Sequence, residues 1–174
     1  MEQLSQQKSH PDDIIQIIKA DHKPLKDLLL VLKDEEASFL DKKNALSKFS
    51  ILFEAHAKPE QETLYERMKR IPEFMMDTAE GELEHRLATQ ICKDMNTTTS
   101  ERSFMSKAKV LAEMVSQHIR VEERDLLPDF EAATTLDERI ELGRKYRIIQ
   151  KQIESLQISE RHLPPSSSMD GMQG

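Results

Sequence analysis

Four histidines lie in four separate segments of the chain, and each segment has apolar residues that recur three and four positions apart. That spacing is typical of an amphipathic helix with one buried stripe. Each histidine occupies a position within the stripe of its own segment. The histidines, one to a segment, are His22, His56, His85 and His118. At about 1.5 Å per residue the four lie within roughly 8 Å along the helix axes, so we expect the imidazoles to meet in the interior of a helical protein.

The rest of the pattern predicts five helices joined by short links. Only 4 Gly and no Trp occur among the 174 residues, a composition that suits helices. The segment 96–100 (NTTTS) reads as a turn, Pro128 is expected to stop or bend the fourth helix, and Thr135 with Glu138 forms a capping box for the fifth. Short links favour antiparallel neighbours. We therefore predict an all-α fold, an up-down-up-down four-helix bundle with a shorter C-terminal fifth helix.

Composition divides the chain into four parts. Residues 12–130 contain the four bundle helices, and residues 135–158 contain the fifth. Residues 1–11 are polar and predict a flexible N-terminus. Residues 163–174, LPPSSSMDGMQG, predict a disordered tail.

Charge and hydropathy exclude several classes of partner. The net charge is −7 with basic residues interspersed among acids, which argues against nucleic acid. No stretch approaches the ~18 apolar residues of a membrane span, and no apolar segment near the start indicates a secretory signal. A single cysteine, Cys92, excludes an internal disulfide and is expected to be a buried thiol. These features predict a cytoplasmic protein, and no segment indicates a protein partner.

Two glutamates accompany two of the histidines. Glu60 follows His56 by four residues and Glu122 follows His118 by four, so each acid lies one turn along on the same helix face. Two buried carboxylates beside four imidazoles need either a cation or a costly hydrogen-bonded network. A metal ion would satisfy all six groups. The predicted metal ligands are His22, His56, Glu60, His85, His118 and Glu122.

The two halves of the chain look like two copies of one helical hairpin. Corresponding histidines are 62 and 63 residues apart, and an acid (Asp21 or Glu84) precedes the lone histidine of each half. Paired halves would supply three ligands to each of two metals, with a carboxylate from each half placed to bridge. Imidazole and carboxylate ligands suit iron or manganese, with zinc possible. A ferritin-like site is disfavoured, because it needs two Glu-x-x-His motifs and the chain has one, from Glu82 to His85.

These motifs resemble the hemerythrin-like (HHE cation-binding) family. The family has a His, a His-x-x-x-Glu, another His and a His followed by an acid, and here ADH, HAKPE, EHRLA and HIRVE stand in those places, with LLP after the last. The resemblance covers about residues 12–130, and the fifth helix is similar to a common C-terminal extension. It implies two iron ions, as Fe²⁺ or Fe³⁺, joined by an oxo or hydroxo bridge. Manganese and zinc rank below iron.

Two departures separate the chain from the oxygen carriers of that family. The carriers have a second histidine on the third helix, whereas positions 81 and 89 here are Gly and Thr. One iron would then lack a protein ligand, or take it from Glu82 or from water. The fourth-helix acid, Glu122, stands four residues after its histidine, where the carriers place Asp at five; this matches the broader group. Tyr65, near the second motif, is expected to cap the core rather than to border the site.

We therefore expect a non-haem di-iron protein that binds or reacts with oxygen, nitric oxide or peroxide. The open ligand position admits a small molecule but weakens the case for reversible oxygen carriage. The alternative is an iron- or redox-sensing module whose stability depends on metal loading. A metal-free interaction bundle is the third hypothesis. The pattern leaves open whether the centre turns its small molecule over or only binds it.

Overall fold

The computed structural model describes residues 10–162, and every regular element in that range is helical. The five helices are α1, Ile14–Lys33; α2, Phe39–Glu60 continued by Gln61–Tyr65 and Glu66–Met68; α3, Met75–Thr97, after a 3₁₀ turn at Pro72–Phe74; α4, Glu101–Val121 continued by Glu122–Leu126 and Leu127–Ala133; and α5, Leu136–His162. The predicted all-α class is confirmed. Residues 1–9 of the predicted flexible N-terminus and the predicted tail, 163–174, lie outside the described residues. Within the described range no helix has the length and apolarity needed to cross a bilayer.

The last helix is longer than predicted. α5 has 27 residues, whereas α1 has 20 and α3 has 23, so the prediction of a shorter fifth helix is wrong. Residues 157–162 contain neither Gly nor Pro, and the first helix breaker is Pro164. A proline disfavours helix at the residue before it. The helix therefore continues to His162, beyond the predicted end at 158.

The fourth helix is not stopped by Pro128. A π-helical segment, Glu122–Leu126, precedes the proline, and Pro128 lies in the first turn of the segment Leu127–Ala133 that follows. Proline is tolerated in a first turn because the N–H that it lacks would have no helical partner there. α4 therefore runs on to Ala133.

The buried apolar side chains form two clusters with a polar layer between them. α1 packs against α2, α4 and α5, and α3 packs against α4. On α1, α2 and α4 the two clusters lie toward opposite ends of the helix from the histidine, and at the third helix the lower cluster is represented by Phe74 in the 3₁₀ turn before α3. The upper cluster includes Leu25, Phe53, Ala88 and Val115, and the lower cluster includes Ile18, Leu64, Phe74 and Leu126. This arrangement places the four imidazoles at one level.

α5 is fixed to the start of α1 by a buried ion pair and a close backbone approach. The Nε of Arg139 lies 3.1 Å from Oδ2 of Asp13, and both side chains are buried. Oδ1 of the same aspartate accepts a hydrogen bond from the N–H of Ile15 and so caps α1. A Cβ at Gly143 would lie only 1.9 Å from the carbonyl oxygen of Asp12. The helix contact at this point therefore requires glycine.

Candidate metal centre

The structure brings the six predicted ligands together in the polar layer. All six are at most 4% exposed. The rings of His22 and His56 are 4.9 Å apart, and those of His85 and His118 are 4.7 Å apart. Nitrogen and carboxylate oxygen atoms within 4.8 Å of one another form three triads: His22, His56 and Glu122; His56, Glu60 and His85; Glu60, His118 and Glu122. His56 and both glutamates belong to two triads each, which makes them the shared members of the centre.

Each imidazole is held from outside at its Nδ1 atom. The contacts are His22 with Glu123 Oε1 at 3.0 Å, His56 with Tyr146 Oη at 3.1 Å, His85 with the Gln61 side-chain amide at 3.3 Å, and His118 with Glu84 Oε2 at 2.6 Å. The Tyr146 hydroxyl itself donates to Asp21, which leaves its oxygen lone pairs for the imidazole. At His22, His56 and His118 the partner atom is an oxygen that can accept, which places the ring hydrogen on Nδ1 and leaves the lone pair on Nε2, the form that binds a metal. At His85 the partner atom is the amide nitrogen of Gln61, which donates to Nδ1, and Nε2 of His85 lies 3.0 Å from Nε2 of His118.

The residues that hold the Nδ1 atoms follow the repeat of the sequence. Gln61 and Glu123 each come directly after a glutamate of the centre, and each contacts the lone histidine of the other half. Glu84 reaches the second histidine of its own half directly. Asp21, one methylene shorter, does so through the hydroxyl of Tyr146, which lies 2.7 Å from it. The sequence analysis did not predict these partners of the Nδ1 atoms. The acids directly before the lone histidines, Asp21 and Glu84, were the feature that could have indicated them.

Tyr65 borders the site, so the prediction that it only caps the core is wrong. Its ring stacks on that of His85 with centroids 5.6 Å apart, and its hydroxyl donates to Oε1 of Glu122 over 2.6 Å. The π-helical segment Gln61–Tyr65 brings Leu64 and Tyr65 inward together, since both are fully buried. A Cβ at Gly81 would lie 2.5 Å from the tyrosine hydroxyl. Tyr65 therefore fills the space beside position 81, where the oxygen carriers were expected to have a further histidine.

Two other residues singled out from the sequence lie apart from the six. Oε1 of Glu82 is 2.6 Å from Nζ of Lys69, and Glu82 belongs to none of the three triads, so the structure does not bring this possible seventh ligand to the six. Cys92 is buried in the upper apolar cluster, as predicted. Burial raises the pKa of its thiol to about 11, so it stays protonated at neutral pH.

Burial keeps two of the imidazoles neutral. It lowers the pKa of His56 well below the ordinary histidine value and lowers the pKa of His85 to about 3, and the neighbouring imidazoles add to both shifts. A neutral imidazole is the form that ligates a metal. These two side chains therefore need no deprotonation before they bind a cation.

The remaining groups have opposed shifts. Burial and the nearby carboxylates raise the pKa of Glu60 well above its usual range. Burial by itself would raise the pKa of Glu122. His118 and the other imidazoles outweigh this effect and lower the pKa of that carboxyl. For His118 burial is outweighed by Glu122 and by a second neighbouring carboxylate, so its pKa is raised. Without a cation, these shifts favour a proton on Glu60 and an ion pair between Glu122 and His118.

Several buried polar atoms of the centre have no hydrogen-bond partner. They are Nε2 of His22 and His56, both carboxylate oxygens of Glu60, and Oε2 of Glu122. Leaving such atoms unpartnered is costly, and native proteins rarely do so without a bound species. All of them face one another across the triads. The donor set of imidazole nitrogen and carboxylate oxygen, with no sulfur, fits iron or a similar divalent metal.

Five helices that bury four imidazoles and two carboxylates around one point define a cation-binding helical domain. The model of the hemerythrin HHE cation binding domain family matches residues 13–130. The chain belongs to this family, and the resemblance inferred from its motifs is confirmed. Comparison with curated proteins and with solved structures found no match. Domains of this class bind metal ions, commonly iron, at a cluster of His and Glu within a helical bundle.

Proposed function

We propose that the chain is a non-haem di-iron protein that binds or reacts with oxygen, nitric oxide or peroxide inside an up-down four-helix bundle. The observation that carries the proposal is the common orientation of the imidazoles, which turn their metal-binding nitrogens inward and are held from outside at the other nitrogen. The residues that would hold the iron are His22, His56, Glu60, His85, His118 and Glu122. Glu60 and Glu122 are the two carboxylates that belong to two triads each, so they would be available to both ions.

Six protein donors are too few to saturate two iron ions, so the proposed centre keeps positions for a small molecule. Bound iron would supply redox chemistry and Lewis acidity at those positions. The chain's own residues would exclude water and supply a hydrogen-bond donor beside those positions. The two apolar clusters exclude bulk water on either side of the layer. Burial and Glu122 raise the pKa of Tyr65 well above its ordinary value, so its hydroxyl stays protonated and remains a hydrogen-bond donor at the edge of the centre.

The proposal is tested by elemental analysis of the chain purified without added metal, with absorption spectra before and after dithionite. We expect two iron ions per chain and a spectrum that changes on reduction. Stopped-flow mixing with oxygen, nitric oxide and hydrogen peroxide then identifies the reactant. A matched control is His10→Ala, which removes a histidine outside the centre and should leave the iron content unchanged. A chain that takes up no metal even after anaerobic incubation with Fe²⁺ is not a di-iron protein.

Metal binding should release protons, because Glu60 and His118 carry them in the metal-free centre. Glu60 has a raised pKa, so between about pH 4.5 and that raised value the folded chain keeps a proton that a bound cation displaces. The raised pKa of His118 adds a second, partial contribution near neutral pH. We expect the release of between about one and two protons per chain near pH 6, and metal affinity that rises with pH. Calorimetric titration with Co²⁺ in buffers of different ionisation enthalpy measures the number.

Glu123→Gln is the control for this measurement. The pKa of Glu123 is lowered mainly by its bonds to Lys26 and His22, which outweigh burial, so that carboxylate is already ionised and contributes no proton. The variant should release as many protons as the wild type. Uptake of Co²⁺ without proton release at pH 6 would contradict the assignment of Glu60 as a protonated ligand.

A sensor function is the second candidate, and one contact favours it. Tyr146 of α5 lies outside the matched residues 13–130 but contacts Nδ1 of His56, so the centre and the last helix are directly connected. In a sensor, metal loading would order α5. Limited proteolysis with and without iron distinguishes the two: strong protection of residues 136–162 by iron, with no reaction toward the three small molecules, favours the sensor.

A further inference from the structure

A cleft opens on the surface between α3 and the C-terminal part of α4, and its inner end is the metal centre. Its volume is about 340 Å³. The inner end is formed by Tyr65, Gly81, His118 and Glu122. A Cβ at Gly81 would lie 2.5 Å from the Tyr65 hydroxyl, so the tyrosine forms the wall of the cleft at this point. We call this opening the acidic cleft, for the charge of its walls.

The walls carry five carboxylates, Asp77, Glu80, Glu84, Asp125 and Asp129, and no described lining residue is Lys or Arg. Glu84 is engaged with a histidine of the centre, and Asp125 is paired with the neighbouring Arg124 at 2.6 Å. Asp77, Glu80 and Asp129 form no ion pair with any described residue. Clefts lined by one sign of charge concentrate ions of the opposite sign. The acidic cleft therefore attracts cations.

Glu122 provides a possible cation ligand at the inner end of the cleft. The residue is 2% exposed, and its Oε2 has no hydrogen-bond partner. That oxygen lies 3.3 Å from Nε2 of His22 and 3.5 Å from Nε2 of His118. The inner end of the cleft thus has a buried, unpartnered carboxylate oxygen beside two imidazole nitrogens.

A second opening, between α2 and α3, has the opposite balance of charge. It reaches His85 and is lined by three cationic side chains, Lys58, Arg86 and Lys93, against two acids, Glu54 and Glu62. The Gln61 amide lies against the imidazole at its inner end. A cation is repelled at this opening and attracted at the other, so the two approaches to the centre differ in the charge that they admit.

We propose that divalent metal ions, Fe²⁺ in the first place, reach the centre through the acidic cleft. Asp77, Glu80 and Asp129 concentrate the hydrated cation at the mouth, and Glu122 with His118 receives it at the inner end. An ion with about six waters occupies roughly 180 Å³ at ~30 Å³ per water, which the cleft can hold. The inference rests on the proposed function, since it requires a metal-binding centre.

The test is the rate at which the metal-free chain takes up Co²⁺, followed by its visible absorption in stopped flow. The variant Asp77→Asn/Glu80→Gln/Asp129→Asn should load about 10-fold or more slowly at low ionic strength. The difference should vanish near 1 M salt, where the screening length falls to about 3 Å. The amount of Co²⁺ bound at equilibrium should equal that of the wild type, because the exchanged residues are not ligands.

Two control variants make the result specific. Glu113→Gln/Glu141→Gln/Glu154→Gln changes the net charge equally at exposed positions outside the cleft and should load at the wild-type rate. Lys58→Gln/Arg86→Gln/Lys93→Gln changes the second opening and should not slow loading. Equal slowing in the first control, slowing in the second, or an unchanged rate in the cleft variant overturns the cleft proposal alone. A wild-type chain that binds no Co²⁺ overturns the proposed function itself.

Discussion

Arg139→Met is expected to lower the free energy of unfolding by about 3–5 kcal/mol, because it leaves a buried carboxylate without its partner. Arg139 is 1% exposed, and its guanidinium contacts Asp13 and two backbone carbonyls at the end of α4. Methionine has similar volume, so the loss reports the charge rather than a cavity. Urea titration of the metal-free chain, followed by circular dichroism, measures it.

The matched control is Arg144→Met, one turn and a half along the same helix. The Nε of Arg144 is 3.6 Å from Asp12, and its side chain is 65% exposed. Exposed pairs of this kind contribute about 0–1 kcal/mol. Asp13→Asn combined with Arg139→Met should recover part of the loss, since asparagine still caps α1 but carries no charge. Equal effects of Arg139→Met and Arg144→Met would show that the buried pair is not what fixes α5.

Glu122→Gln is expected to abolish stoichiometric iron binding. Glu122 belongs to two of the three triads and receives the tyrosine hydrogen bond on one oxygen while the other faces the imidazoles. The amide keeps the shape of the side chain but removes the anionic donor shared by both proposed iron positions. The affinity should fall by more than the ~10–100-fold that is typical for the loss of an outer partner. Elemental analysis and Co²⁺ titration measure the effect.

The adjacent residue provides the control for this prediction. Glu123→Gln makes the same chemical change one position along, at a residue that contacts Nδ1 of His22 from outside. It should retain iron with an affinity about 10–100-fold lower. If both variants keep two iron ions with equal affinity, Glu122 is not a ligand. Matching far-ultraviolet circular dichroism of the two variants shows that any difference is not caused by unfolding.

The six residues of the centre could be predicted from the sequence because they occupy stripe positions. A buried face recurs with the helical period, so a polar residue in register with apolar ones is expected to be buried wherever the helices pack. His22 and His85 stand out for this reason. Their level along the bundle follows from counting residues at a constant rise. Helical periodicity together with a constant rise therefore sufficed to predict that the imidazoles meet.

The outer partners could not be predicted in the same way. Gln61 and Glu123 are off the stripe by one residue, where a polar side chain would ordinarily be solvated. Tyr146 comes from α5, 90 residues after the histidine that it contacts. Contacts of this kind depend on how α5 lies across the other helices, and a period within one helix contains no information about that. The buried pair of Arg139 with Asp13 was missed for the same reason.

The spacing of buried residues in the sequence also indicates the two π-helical segments, Gln61–Tyr65 and Glu122–Leu126. In an α-helix each four-residue step passes a full turn by about 40°, so a stripe of such steps drifts off the buried face. Two stripes nonetheless make three such steps in succession and stay buried: His56, Glu60, Leu64 and Met68, and His118, Glu122, Leu126 and Phe130. A wider turn compensates for the drift. It also explains why Tyr65, five residues after Glu60, faces the centre.

The recurrence of this wider turn bears on the history of the chain. π-helical turns are rare and mostly occur as single interruptions of an α-helix, yet one begins within a residue of the centre glutamate in each half, at Gln61–Tyr65 and at Glu122–Leu126. A shared ancestor explains the pair more simply than two separate insertions at equivalent places. In that history the wider turn, with its one extra residue, was present before the hairpin gene was duplicated. Two copies of the ancestral hairpin, associated as a dimer, would already have formed a centre of four imidazoles and two carboxylates.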